Sequence, residues 1–189
     1  LIASYIIYAR DNYDANITAI SIQNEPNIGI YNYFSSSELP NVTEAVLDSL
    51  DHFGLGYVKL HVGDVNEPGS ALAYYSPSMN RPDIASRTQA VSYHTWHSMS
   101  PSVLNSVRDY AEGYGVSNWA TEVGYTSLDS STFNWAIGSM ENHHLAMVHS
   151  NANMTFQWTL GGAETSISKS GTPYPVYYAL KHIHQHIFP

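Results

Sequence analysis

The stretch TAISIQNEPN, Thr18 to Asn27, opens as a short apolar strand and ends on an acidic residue held between an asparagine and a proline. The run Ile17 to Ile22 reads as a buried strand, and a carboxylate at the carboxyl end of such a strand stands where α/β proteins assemble their sites. Asn-Glu-Pro recurs at Asn66-Glu67-Pro68. That second glutamate lies in a Gly/Pro/Ser-containing turn and reads as a solvated loop residue, whereas Glu25 caps a strand.

Outward from this segment the chain repeats a unit. Apolar residues at 2, 5, 6 and 9 predict a helix from the start to about Asn12. Asn41-Val42-Thr43-Glu44 has the form of a capping box, followed by Val42, Ala45, Val46, Leu50 and Phe53 at helical spacing until Gly54 and Gly56. Strands are predicted at 57–62, 90–94, 118–122 and 154–158. Between them, Ser100-Pro101 opens a helix closed by Gly113 and Gly115, and residues from Phe133 to about Val148 are helical in character. Val176, Leu180, Ile183 and Ile187 give a last helical stripe. Strands alternating with helices call for a parallel sheet in a single domain, with no linker to divide it. Glu122 is the second carboxylate at a strand end, three strand-to-strand steps after Glu25, each about one βα unit long.

Composition narrows the partner. The 189 residues are 43% hydrophobic and 12% charged, an ordinary globular balance. A net charge of -9 with only seven Lys plus Arg leaves no basic stripe for phosphates, so nucleic acid is not expected. No apolar run reaches membrane-spanning length. The 15 Tyr and four Trp offer flat apolar faces with polar tips, suited to cores and to sugars alike. There is no Cys, which removes disulfides and thiolate metal sites. The ten His include His143-His144 and the run His182 to His186, but residues 182 and 186 fall on a helix face away from the apolar stripe, so neither a metal nor a cofactor is expected.

Gln23-Asn24-Glu25-Pro26 at one strand end and Trp119-Ala120-Thr121-Glu122 at a later one resemble the clan A glycoside hydrolases, which are retaining (β/α)8 barrels. Tyr177-Tyr178-Ala179-Leu180-Lys181 resembles the last barrel helix of family 30 and its relatives, with families 5, 39 and 59 still open. The resemblance implies that Glu25, after barrel strand four, is the general acid/base and Glu122, after strand seven, the nucleophile. It also implies that Asn24 donates to the sugar 2-hydroxyl and that Trp158 forms the platform beneath the ring. His94-Thr95-Trp96 resembles the His-x-Tyr pattern that orients the nucleophile, except that Trp stands in place of Tyr. A hydroxyl for that task would then have to come from Tyr93 or Tyr125.

On this reading the chain runs from barrel helix three through helix eight, a partial (β/α)8 barrel lacking its first three βα units. A whole barrel takes at least about 200 residues and typically about 250. The missing N-terminal half is the partner such a piece requires, and without it poor stability is expected. The expected function is hydrolysis of β-linked glycosides or polysaccharides by double displacement, with the two carboxyl groups ~5 Å apart. The rival readings are a carbohydrate-binding relative without catalysis and, behind it, a histidine-based metal hydrolase. A secreted location is expected from the resemblance, and the sequons at Asn16, Asn41 and Asn153 are compatible with it.

Overall fold

Strands β1 (Ala19–Ile20), β2 (Lys59–Val65), β3 (Thr88–His94), β4 (Ser117–Val123) and β5 (Met154–Gln157) pair in that order, every pair parallel, in one curled sheet. Helices α1 (Ile2–Tyr13), α2 (Leu39–His52), α5 (Pro101–Tyr114) and α6 (Phe133–His149) alternate with them, and α7 (Pro175–Ile187) follows β5. This is the α/β partial barrel that the sequence predicts. The computed structural model describes residues 1–28, 34–97, 99–126, 129, 131–159 and 167–187.

The central strands are buried on the face that meets the helical layer. Leu60 and Val62 of β2, Val91 and Tyr93 of β3, and Ala120 and Val123 of β4 face the helices. There they meet Leu47 and Leu50 of α2, Leu104, Val107 and Ala111 of α5, and Ala146 of α6 in one continuous core. A smaller cluster joins Trp135 and Ala136 of α6 to Val176 of α7. The opposite face of the sheet is open: His61, Gln89, Trp119, Met154 and Phe156 line a hollow of about 430 Å³. Beside β1, residues Ile2, Tyr5, Ile6, Ile17 and Ile20 line an apolar recess of about 480 Å³. Met154 and Phe156, inward-pointing on β5, are 38% and 50% exposed, which no closed barrel core would permit.

Several local expectations are revised. Helix α2 begins at Leu39, with Glu38 as its N-cap and Pro40 in the first turn, so the capping box at Asn41 does not form. Glu38 instead accepts from the backbone N–H and the hydroxyl of Ser35, and Glu44 pairs with Arg81 at 2.8 Å. The Pro- and Ser-rich stretch before β3 holds a 3-10 turn (Pro68–Ser70) and two short helices, α3 (Ala71–Met79) and α4 (Pro82–Arg87). Strand β1 keeps ladder pairing only at Ala19 and Ile20, because it has a neighbour on one side alone. A small antiparallel hairpin, β6 (Ser168–Lys169) with β7 (Thr172–Pro173), precedes α7. Helix α5 does close as expected on Gly115, whose φ of 67° is left-handed.

Two irregularities in the ladder govern the site. In β2, Gly63 pairs with Ser92 but Val65 pairs with Tyr93, so Asp64 is skipped. In β4, Ala120 pairs with Tyr93 but Glu122 pairs with His94, so Thr121 is skipped. Each is a bulge that adds one residue to its strand.

Candidate active site

Strand geometry decides which side chains reach the carboxyl end of the sheet. In β2, His61 faces the hollow while Leu60 and Val62 face the helices, so strict alternation would turn Asp64 outward. The bulge reverses that: Asp64 takes a left-handed backbone, φ 52°, and its carboxylate comes to the inner side. Gly63 before it has φ 107°, and a side chain there would meet the Tyr75 ring at 2.2 Å, so only glycine fits. In β4, Trp119 and Thr121 face the hollow, and the extra residue lets Glu122 stay inward beside Thr121 rather than pointing into the helices.

Glu25 reaches the same place from the loop after β1. Its φ is 47°, a left-handed conformation rare for glutamate, and it is held there from both sides. Its N–H donates to the Asp64 carbonyl at 2.9 Å, and its carbonyl accepts from Ile28 N at 3.0 Å. The two Asn-Glu-Pro copies are tied together: Asn27 Nδ2 donates to Asn66 Oδ1 at 2.6 Å, and Asn66 N donates to Asn27 Oδ1 at 3.0 Å. The second copy is therefore a clasp for the first. Its own glutamate, Glu67, is half-buried and accepts from Ser70 Oγ at 3.1 Å, away from the acid cluster.

His94 lies at the centre, fully buried. Its Nδ1 is 2.8 Å from Glu25 Oε1 and 3.2 Å from Glu122 Oε2, and its Nε2 is 3.4 Å from Asp64 Oδ1. Nε2 and Asp64 are at ion-pair distance without a formed hydrogen bond. Burial alone would lower the His94 pKa, but Asp64, Glu25 and Glu122 together raise it to about 9, and the ring is an imidazolium at neutral pH. Burial pushes the Glu122 carboxyl above its ordinary range. The His94 cation and the Trp96 indole oppose that push, and the charges of Glu25 and Asp64 add to it. Burial would also raise Asp64, but His94, His61 and the Thr121 hydroxyl outweigh it and hold Asp64 low.

Trp96 stands where an aromatic hydroxyl is expected, and its indole fills the role. Nε1–H donates to Glu122 Oε2 at 3.2 Å. The ring packs against Gly124, where an added Cβ would come within 2.4 Å of it. Tyr125 is 36% exposed and lines, with Glu25, Ile28, Asn66, Trp96 and His97, an open cleft of about 310 Å³. Tyr93 does not join them. It is fully buried on the helix side, its hydroxyl 2.5 Å from Ser150 Oγ, because adjacent strand residues point to opposite faces and His94 takes the inner one. Asn24 is exposed beside Glu25, and Trp158, 44% exposed, follows β5 with its N–H bonded to the Val123 carbonyl at 2.9 Å.

Four neighbours that the sequence reading leaves out of the site complete the arrangement. Asp64 closes the charge cluster, Asn66 and His97 line the cleft, and buried Asn142 on α6 donates to the carbonyls of Gly124 at 2.6 Å and Thr95 at 3.3 Å. Only Asp64 carried a signal, an acid at the end of a predicted strand like Glu25 and Glu122. Of the histidines weighed for a metal, His143 is buried and bonded to Thr155 and Gln157, His144 and His182 are exposed, and the side chains of His184 and His186 lie outside the described residues. Among the described residues, one group of His, Asp or Glu could converge on a cation: Glu25, His94 and Glu122, whose nearest donor atoms lie within 4.8 Å of one another. His94 Nδ1 lies between the two carboxylates, so a proton on that nitrogen serves both of them.

No family model and no curated protein matches the chain by sequence. Solved structures do match. A GH30 endoxylanase from Clostridium papyrosolvens superposes with TM-score 0.77 at 21% identity, over 100% of this chain and 47% of its own. The GH30 subfamily 8 xylanase from Clostridium acetobutylicum gives 0.75 at 20% identity, over 97% and 45%. A GH39 glycoside hydrolase from Bacteroides cellulosilyticus gives 0.72 at 15% identity, over 97% and 44%. The fold is that of a partial (β/α)8 barrel, shared with these glycoside hydrolases. The chain spans about half the length of these neighbours, in keeping with the unfilled hollow on the inner face of the sheet.

Proposed function

We propose that this partial clan A barrel carries the catalytic pair of a retaining β-glycoside hydrolase, acting within a longer protein whose further strands close the barrel. The observation that carries the reading is the separation of Glu25 and Glu122. Their facing oxygens are no more than 4.8 Å apart, which suits the ~5–5.5 Å of retaining enzymes and leaves no room for the water an inverting pair needs at ~6.5–9.5 Å. Glu122, ionised and aligned by Trp96 Nε1–H and His94, attacks the anomeric carbon. Glu25 protonates the departing oxygen, then takes a proton from the water that releases the sugar from Glu122.

The cleft beside Glu25 is lined by apolar and amide groups from Ile28, Asn66, Trp96 and Tyr125, which suits a neutral saccharide. Asn24, exposed beside the acid/base, is placed on the substrate side, and Trp158 is the candidate platform. Polymeric substrates and a secreted location belong to the same proposal. The test is a panel of aryl β-glycosides on the full-length protein, with proton NMR of the first anomer released. Retained configuration, with turnover abolished in both Glu25→Gln and Glu122→Gln while sugar binding survives, supports the reading. An inverted product, or full turnover in Glu122→Gln, overturns it.

A further inference from the structure

We propose that Asp64 is a positioning residue for the glutamate pair: carried inward by the β2 bulge, it fixes the His94 ring from the Nε2 side and the end of β4 through Thr121. The inference rests on the reading of Glu25 and Glu122 as the reacting pair.

Asp64 is 7% exposed and ties its own strand to the ends of three others, β1, β3 and β4. Its carbonyl accepts the Glu25 N–H, its own N–H donates to Ser92 Oγ at 3.1 Å, and its Oδ1 accepts from Thr121 Oγ1 at 2.5 Å. The same Oδ1 faces His94 Nε2 at 3.4 Å. Thr121 immediately precedes Glu122, so the hydroxyl bond anchors the backbone that presents that carboxylate. The imidazole bridges the Asp64 carboxylate and the two glutamate carboxylates, with Nε2 toward the first and Nδ1 toward the other two. A negative charge on the Nε2 side therefore holds the ring in the orientation that aims Nδ1–H between Glu25 and Glu122.

The other groups facing this centre are few. His61 of β2 lies 4.0 Å from Asp64 Oδ1, with its Nδ1 on Ser92 Oγ at 2.9 Å. Burial keeps His61 low, against the pull of Asp64. Tyr75 of α3, fully buried, has its hydroxyl on the Ser92 carbonyl. On the far side of His94 stand Glu25, Glu122 and the Trp96 indole. None of these can replace Asp64, because none places an anion at Nε2.

Asp64→Asn is the informative change. Asparagine tolerates the left-handed backbone as well as aspartate does and keeps an oxygen for Thr121, so the fold is retained while the charge is removed. In the full-length protein, kcat for an aryl β-glycoside should fall about 10- to 100-fold with KM within about 2-fold, the scale set by loss of alignment at the reacting atoms. The His94 imidazole, followed by 15N NMR, should lose its proton at lower pH than in the parent, and the alkaline limb of kcat/KM should move down with it. Asp64→Glu, which restores charge with an extra methylene, should recover the His94 titration in part. If Glu25→Gln and Glu122→Gln abolish turnover but Asp64→Asn leaves kcat, the pH profile and the His94 titration unchanged, the positioning role is refuted and the catalytic pair stands. If kcat and KM worsen together while the His94 titration does not move, Asp64 is merely structural and the proposal also fails. If the two glutamate variants remain active, it is the underlying assignment of the pair that fails.

Discussion

The indole N–H of Trp96 lies 3.2 Å from Glu122 Oε2, on a ring that Gly124 alone leaves room for. An N–H at this point can only donate, and unlike a phenol it carries no ionisable proton. The bond favours the ionised form of the carboxylate it serves, against the push of burial. Trp96→Phe keeps the ring and removes the donor. A hydrogen bond to a charged group contributes about 1.5–3 kcal/mol, so kcat/KM should fall roughly 10- to 100-fold. The acid limb of the pH profile should also rise, because the bond favours ionised Glu122. An unchanged limb in stopped assays across the acid range would show that the indole does not support the nucleophile.

The acid limb of the parent protein makes its own prediction. Glu122 must be ionised to attack, and burial holds its pKa above the ordinary carboxylate range. Activity should therefore be lost as pH falls through a value higher than a free glutamate's, and Glu122→Asp, with its shorter reach, should lower kcat sharply. Kinetics of kcat/KM against pH with an activated aryl glycoside measures both.

Stability has a pH window set by His94 and Asp64. His94, raised to about 9 from an unfolded value near 6.5, contributes stability that is complete below the unfolded value and is lost as pH climbs toward 9. Asp64, held below its unfolded value, contributes above that value, and its contribution disappears as pH falls through the folded one. Thermal melts should show a maximum between the two and a decline on the alkaline side that His94→Asn flattens.

Tyr93→Phe separates core from cleft. Ser150 Oγ already donates to the Ala146 carbonyl at 2.6 Å, so it accepts from Tyr93. Removing that buried hydroxyl should cost about 1–3 kcal/mol of stability and leave kcat and KM for aryl glycosides within about 2-fold. A large kinetic defect would instead put Tyr93 in touch with the reacting groups.

Residues 1–189 expressed alone should associate. The hollow lined by Trp119, Met154 and Phe156 and the recess beside β1 are apolar and open, and β1 offers an unpaired backbone edge. Light scattering should report oligomers or precipitate, with glycosidase turnover weak or absent. A monodisperse monomer at high concentration would contradict this.

The layout of the barrel and its two glutamates could be read from residues whose meaning is local. Apolar runs, turn glycines and Pro101 mark elements regardless of their neighbours, and Glu25 and Glu122 both end such runs. What escaped depends on pairing between distant segments. Asp64 and Glu122 turn inward because their strands locally carry one residue more than the partner strand, and no window of sequence shows a partner's register. The capping box at Asn41 failed for a related reason: Pro40, suited to a first turn, and Glu38 with Ser35 offered an earlier start. Tyr93 was legible in principle, since two successive residues of a strand cannot both face the same cleft.

A one-residue deletion at position 64 or 121 would remove one local shift from the ladder. It would also discard Asp64 itself in the first case, and in the second the Thr121 hydroxyl that ties the end of β4 to Asp64. In this chain, backbone regularity and chemistry pull in opposite directions, and the sheet keeps a miscount at Asp64 and another at Thr121 so that acids from separate strands can meet.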